Sequence, residues 1–90
     1  MLTVYTRNYC PFCDSAKQYL KDGNIDFVEI NAYDDKDAAT FLRERGHRTV
    51  PQIYLDDKLF VGGGCDGLMA LSYTDIRDKL NGMDFSKLTL

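Results

Sequence analysis

The sequence predicts one α/β domain: a strand–helix–strand unit with parallel strands, then a helix, a β-hairpin and a last helix. Three observations carry this. Runs rich in β-branched and aromatic residues at 2–6, 25–30, 52–55 and 58–61 alternate with stretches whose apolar residues recur at helical spacing. Gly23, Gly46 and the triplet Gly62-Gly63-Gly64 punctuate the boundaries. The first strand–helix–strand segment spans about thirty residues, long enough for a right-handed crossover between parallel strands.

Each element has its own local reason. Leu2-Thr3-Val4-Tyr5-Thr6 reads as the first strand. Pro11 suits the first turn of a helix, where its missing N–H costs nothing. Phe12, Ala16, Tyr19 and Leu20 then form an apolar stripe that ends at Gly23. Ile25 to Ile30 is the second strand. Asp34 or Asp35 caps a second helix that carries Ala38, Phe41 and Leu42 and stops at Gly46. Gln52 to Leu55 and Lys58 to Val61 flank Asp56-Asp57 as a hairpin. Asp66 is placed to cap a last helix through Leu68, Met69 and Leu71. Beyond Ser72 the pattern weakens: Ile76 and Leu80 suggest a further helical turn or two, and residues 82–90 show no clear periodicity. Tyr5, Tyr19, Phe27 and Phe41 read as core.

With 90 residues, the chain is read as a single domain over 1–90. Apolar residues at 44% and charged residues at 28% exclude a disordered chain. No apolar run is long enough to span a bilayer, so no membrane association is expected. Fourteen acidic against eleven basic residues, a net charge of −3, argue against a nucleic-acid binder. A monomer is expected. The first residues enter a strand at once, without a basic and apolar leader, so the expected location is the reducing cytoplasm.

Three cysteines make no disulfide scaffold, and Cys10-Pro11-Phe12-Cys13 is the pair with a purpose. It lies where the first strand hands over to the first helix. A sulfur there meets unpaired backbone N–H groups and the positive end of the helix dipole. Both favour thiolate, and cysteines so placed can have pKa values of about 3.5–7.5 rather than about 8.5. Arg7 can add positive charge. Cys10 is therefore the expected exposed nucleophile. Cys13, one turn further in, is the resolving thiol, shielded until it attacks a mixed disulfide. A zinc site is the competing use of such a pair, but only His47 and Cys65 remain as further ligands and no second close pair exists. No metal is expected.

Arg7-Asn8-Tyr9-Cys10-Pro11-Phe12-Cys13, Thr49-Val50-Pro51 and Gly63-Gly64-Cys65-Asp66 resemble, in order and spacing, the three signature segments of the dithiol glutaredoxins, and most nearly their short bacterial-type members. The resemblance runs from about Leu2 to Leu71. It implies a thioredoxin-like fold, with a four-stranded mixed sheet flanked by helices. It also implies a glutathione-dependent thiol–disulfide oxidoreductase that reduces protein disulfides and protein–glutathione mixed disulfides. The partners implied are glutathione as reductant and disulfide-bearing or glutathionylated proteins, ribonucleotide reductase among the candidates.

The resemblance assigns the remaining site residues. It implies a cis Val50–Pro51 bond lying against the cysteine pair, whereas the residues alone suggest an ordinary trans proline opening an edge strand. The Val50 backbone would pair with the cysteinyl backbone of glutathione, with Thr49 beside it. Gly64, Cys65 and Asp66 would hold the γ-glutamyl end, and Arg7 the glycyl carboxylate. Phe12 is a candidate to pack on the ligand. Read without the family, 62–66 is equally a glycine-rich turn with a helix cap.

Two departures stand out. The stretch from Asp56 to Cys65 looks one residue longer than usual. Ala38 occupies a position where many relatives carry Gln or Arg for a glutathione carboxylate, leaving Arg7 less help unless Arg43 or Arg48 substitutes. The basic cluster Arg43, Arg45, His47 and Arg48 reads as a solvated helix end, or alternatively as a patch that attracts anionic glutathione or an acidic protein partner. His47 is not expected to be catalytic, since a helix-start thiolate needs no base. Cys65 is expected to be a semi-buried thiol beside the ligand.

Overall fold

In the computed structural model, which describes residues 1–83, the chain runs β1 (Leu2–Thr6), α1 (Pro11–Asp22), β2 (Phe27–Asn31), α2 (Lys36–Glu44), β3 (Gln52–Leu55), β4 (Lys58–Val61), α3 (Gly64–Met69) and α4 (Tyr73–Met83). The expected domain over 1–90 reaches past this, since residues 84–90 lie outside the described residues. The strands form one four-stranded mixed sheet in the order β2-β1-β3-β4. β1 is parallel to β2, and the β1–β3 and β3–β4 pairs are antiparallel. No helix among the described residues is long and apolar enough to cross a membrane.

The two-residue period of the strands sorts side chains to opposite faces. Leu2, Val4, Ile53 and Leu55 meet Ala16 and Leu20 of α1, Leu68 of α3 and Ile76 of α4 in the larger core, with Tyr19 and Phe27 packed against it. Tyr5 and Tyr54 point the other way and pack with Ala38 and Leu42 of α2, with Phe41 beside them. Buried Thr6, at the end of β1, donates to Glu29 at 2.8 Å, and Lys17 donates to the same carboxylate at 3.1 Å. These bonds, the Thr6 one foremost, hold the Glu29 carboxyl below its ordinary pKa.

Several boundaries differ from the sequence expectation. β2 begins at Phe27, not Ile25; Ile25 is buried in the turn, where its N–H donates to the Leu20 carbonyl at 2.9 Å and closes α1. Of the two aspartates considered, Asp35 caps α2 by accepting from the Ala38 N–H at 3.0 Å. Asp66 does not cap the following helix. Gly63, with φ 85°, is the N-cap, and Asp66 falls in the first turn, where a carboxylate still suits the dipole. β3 is an interior strand, so Pro51 opens a central strand rather than an edge. Opposite Ile53 and Tyr54 the register of β4 slips by one residue, so Phe60 is extra and the strand bulges there.

α4 is a full helix of 11 residues where apolar spacing suggested only a turn or two. The overlooked signal is Ser72-Tyr73-Thr74-Asp75, a capping box. The Asp75 N–H donates to Ser72 Oγ at 3.0 Å, and the Ser72 N–H donates to Asp75 Oδ2 at 3.4 Å. Ser72→Ala is expected to lower stability by about 1 kcal/mol. Urea unfolding reads this directly, and an unchanged midpoint would show the cap to be idle.

Candidate active site

β1 ends at Thr6 and the chain turns through Arg7, Asn8 and Tyr9 onto the start of α1. Tyr9 holds a positive φ of 56°, and its side chain is almost wholly exposed. Cys10 is the N-cap of α1, in extended backbone, and Pro11 follows at the first helical position. The Cys13 N–H donates to Cys10 Sγ at 3.2 Å, so one of the four orphan amides of the helix start faces that sulfur. The two cysteines are joined as a disulfide with their Cα atoms 5.2 Å apart, an ordinary span for such a bond. Cys10 is less open than expected: it is 6% exposed and Cys13 is 1% exposed. The order of accessibility stands, while the depth differs, since Val50 of the 49–51 segment lies against Cys10.

That segment is held by interactions local sequence does not announce. The Val50–Pro51 bond is cis, and the Val50 carbonyl oxygen lies 3.9 Å from Cys10 Sγ. Gln52, buried in β3, donates from Nε2 to the Thr49 carbonyl at 2.8 Å and clasps the loop from behind. His47 Nε2 lies 2.6 Å from the hydroxyl of buried Tyr54, so the histidine anchors the same loop to β3. Gln52 was missed as a site residue. Its signal was a polar side chain opening an apolar strand, which has to find a partner once buried.

A cavity of about 180 Å³ is lined by Phe12, Thr49, Val50, Pro51, Gln52, Gly63, Gly64, Cys65 and Asp66. It gathers all the expected ligand-binding residues except Arg7. Gly64 is required twice over: φ is +60°, and a Cβ there would lie 3.1 Å from the Pro51 carbonyl oxygen. Burial, then the neighbouring Asp66 charge, pushes the Cys65 thiol pKa up, so this sulfur stays protonated at neutral pH. It donates to Met69 Sδ at 3.5 Å. The Asp66 side chain is exposed and makes no hydrogen bond or ion pair among the described residues. Arg7 lies on the other side of the Thr49–Val50 segment, in a separate groove with Phe12, Arg43, His47 and Arg48. Among the described residues no three His, Cys, Asp or Glu side chains converge as a metal site.

A disulfide closing one helical turn stores two electrons' worth of oxidation and returns to dithiol by exchange with an incoming thiol. That chemistry, carried at the junction of β1 and α1, defines a thiol–disulfide oxidoreductase of thioredoxin-like fold. The glutaredoxin family profile matches residues 2–60. A glutaredoxin of Pseudomonas aeruginosa is 41% identical over 81 residues, covering 88% of this chain and 93% of that protein. NrdH-redoxin of Escherichia coli, described as a glutaredoxin-like protein with a thioredoxin-like activity profile, superposes with a TM-score of 0.65 at 32% identity, covering 79% of this chain and 93% of that one. A buckwheat glutaredoxin solved with glutathione gives a TM-score of 0.65 at 26% identity, covering 99% of this chain and 80% of that one. The chain belongs to the glutaredoxin family.

Proposed function

We propose that this oxidoreductase takes its electrons from glutathione and reduces both protein–glutathione mixed disulfides and protein disulfides. The observation that carries the reading is the cavity lined by Val50, Gly64, Cys65 and Asp66, whose Val50 also reaches Cys10 Sγ through its carbonyl. An extended peptide can pair with the Val50 backbone as an added strand does. Its ammonium suits the unpaired Asp66 carboxylate, and its far carboxylate suits Arg7. The buckwheat relative, solved with glutathione, supports the same ligand here.

The Cys10 thiolate attacks the glutathione sulfur of a mixed disulfide, and the protein leaves as a thiolate that takes a proton from water. A second glutathione thiolate then attacks the glutathione sulfur bound to Cys10. Glutathione disulfide forms, and the Cys10 thiolate returns. With a protein disulfide, Cys10 attacks one sulfur. Cys13 then displaces the protein dithiol, leaving the Cys10–Cys13 disulfide, which two glutathiones reduce. Glutaredoxin potentials near about −200 to −230 mV suit exchange with a cytosolic glutathione pool. We place the protein in the cytoplasm as a monomer, with ribonucleotide reductase a candidate oxidised partner.

The alternative is reduction by a flavoprotein reductase, favoured by the similarity to NrdH-redoxin. Turnover of a small mixed disulfide coupled in turn to glutathione with glutathione reductase, and to thioredoxin reductase, separates the two. The glutathione-coupled rate is expected to dominate, and Asp66→Asn should raise the KM for the glutathionylated substrate about tenfold by removing a charge-assisted contact. Turnover with thioredoxin reductase alone, or a KM indifferent to Asp66, would overturn the assignment.

A further inference from the structure

Tyr9 takes no part in the chemistry described so far, yet it stands immediately before the attacking sulfur. Its backbone is left-handed, with φ 56°, and its side chain is 98% exposed. Among the described residues Asn24 and Asp56 share that backbone, and both are of the short polar kind that tolerates it in turns. A bulky residue there is an outlier, because its Cβ crowds the following carbonyl oxygen. The strain persists because both flanks are fixed. Asn31 Nδ2 donates to Asn8 Oδ1 at 2.7 Å and the Ala32 N–H donates to the Thr6 carbonyl at 2.8 Å, tying the turn to the end of β2. On the other side Pro11 confines Cys10 to extended backbone, with φ −120° and ψ 95°. Glycine or asparagine would fit this turn with less strain, and no contact within the fold calls for tyrosine. Among the described residues its hydroxyl makes no hydrogen bond and its ring stacks on no other ring. It lines neither the cavity nor the groove that meet at Thr49–Val50, whereas Phe12 lines both. A scattered exposed ring is ordinary. One held in strained backbone beside a nucleophile is the kind of outlier that clusters at working sites.

We propose that Tyr9 is a specificity residue for protein disulfides: its ring receives an apolar side chain next to the substrate cysteine that Cys10 attacks. Cys10 is 6% exposed, so a disulfide that reaches its sulfur brings the flanking substrate chain onto the residues around it. Tyr9 is the sequence neighbour that is already bare and already fixed in backbone. An exposed ring gains most when its apolar faces are covered, which selects an apolar side chain over a small polar one. Because the turn is held in advance, little order is lost when the substrate docks. A small disulfide carries no such side chain, so the ring discriminates among polypeptide substrates. The proposal rests on Cys10 as the attacking sulfur and is independent of glutathione.

The test uses pre-reduced protein in single turnover, with no glutathione present. Two peptides of equal length, each closed by one internal disulfide, carry Leu or Ser beside both cysteines. The Cys10 thiolate attacks one peptide sulfur, and the other leaves as a thiolate that takes a proton from water. Cys13 then attacks Cys10 Sγ and its proton passes to the departing peptide sulfur, so two electrons reach the peptide and the Cys10–Cys13 disulfide forms. Below saturation the Leu peptide is expected to react about tenfold faster than the Ser peptide. In Tyr9→Asn that preference should fall to within about twofold, and in Tyr9→Phe it should persist, since the ring remains. The thermal midpoint of Tyr9→Asn should equal or exceed the parent's, because asparagine suits the left-handed turn. Equal peptide rates in the parent, a Leu preference that survives Tyr9→Asn, or a lowered midpoint in that variant would each overturn the proposal. Hydroxyethyl disulfide reads the exchange site separately. If it reacts while the peptides show no preference, only the role of Tyr9 falls; if it does not react, the Cys10 reading falls and the proposal with it.

Discussion

Cys10→Ser is expected to abolish turnover on every disulfide substrate, by about a thousandfold or more. The change removes a single atom type and leaves the cavity walls in place, so binding without reaction is the expected phenotype. Serine still accepts the Cys13 N–H at the helix cap, and folding should survive. What disappears is the thiolate: a hydroxyl neither ionises near neutral pH nor exchanges with sulfur. Cys13→Ser should behave differently. It keeps the monothiol route on small glutathione mixed disulfides and loses most reduction of protein disulfides, for which an internal second thiol is needed. Glutathione-coupled rates on the two substrate types measure the split. Equal loss of both activities in Cys13→Ser would contradict the assigned roles. The same physics predicts that the parent's Cys10 is alkylated by iodoacetamide with an apparent pKa clearly under about 8.5. A titration like that of free cysteine would remove the basis of the mechanism.

Gly67→Ala is expected to be the most damaging single methyl in the described fold. A Cβ at Gly67 would lie 1.8 Å from the Gly62 carbonyl oxygen and 2.9 Å from its carbon. Both atoms are backbone, so no rotamer change can relieve the clash, and either α3 or the glycine turn has to move. A cost of about 3 kcal/mol follows from overpacking of this kind. For a domain this small, that corresponds to a fall in Tm of more than about 10 °C. Because Gly63 and Gly64, next to Gly62, line the cavity, the KM for a glutathionylated substrate should rise in the same variant. Gly82→Ala is the control. It has open space around the new methyl and lies within α4, so it should be neutral or mildly stabilising. Equal melting of Gly67→Ala and the parent would mean that this turn is far more compliant than its close approach implies.

The elements closest to the chemistry were the most legible, because their causes are local. Pro11 at the first helical position and Cys10 immediately before it specify a helix start with a sulfur on its cap. The β-branched and aromatic runs at 2–6 and 52–55 likewise read as strands, and in the fold each packs on both faces. Boundaries set by tertiary contact were harder to read. Ile25 looks like a strand residue because it is apolar, yet its burial is earned in a turn against α1. Asp66 looks like a helix cap, yet the left-handed Gly63 takes that place. α4 owes its start to the side chains of Ser72 and Asp75, which apolar spacing does not register. Gln52 gave a faint signal only, since a polar residue in a strand shows its purpose once the loop it clasps is in view.

From the residues alone it was already determined that a paired sulfur stands at the start of α1, since capping, proline placement and the helix dipole act over a few residues. Only the tertiary structure decided what faces that sulfur. The Val50 carbonyl reaches Cys10 from 40 positions away because β3 pairs antiparallel with β1. It also decided that Arg7 and Asp66 lie on opposite sides of the Thr49–Val50 segment, giving one cavity and one separate cationic groove. The physical reason is that long-range placement follows from sheet pairing and helix packing, which a linear pattern constrains only collectively.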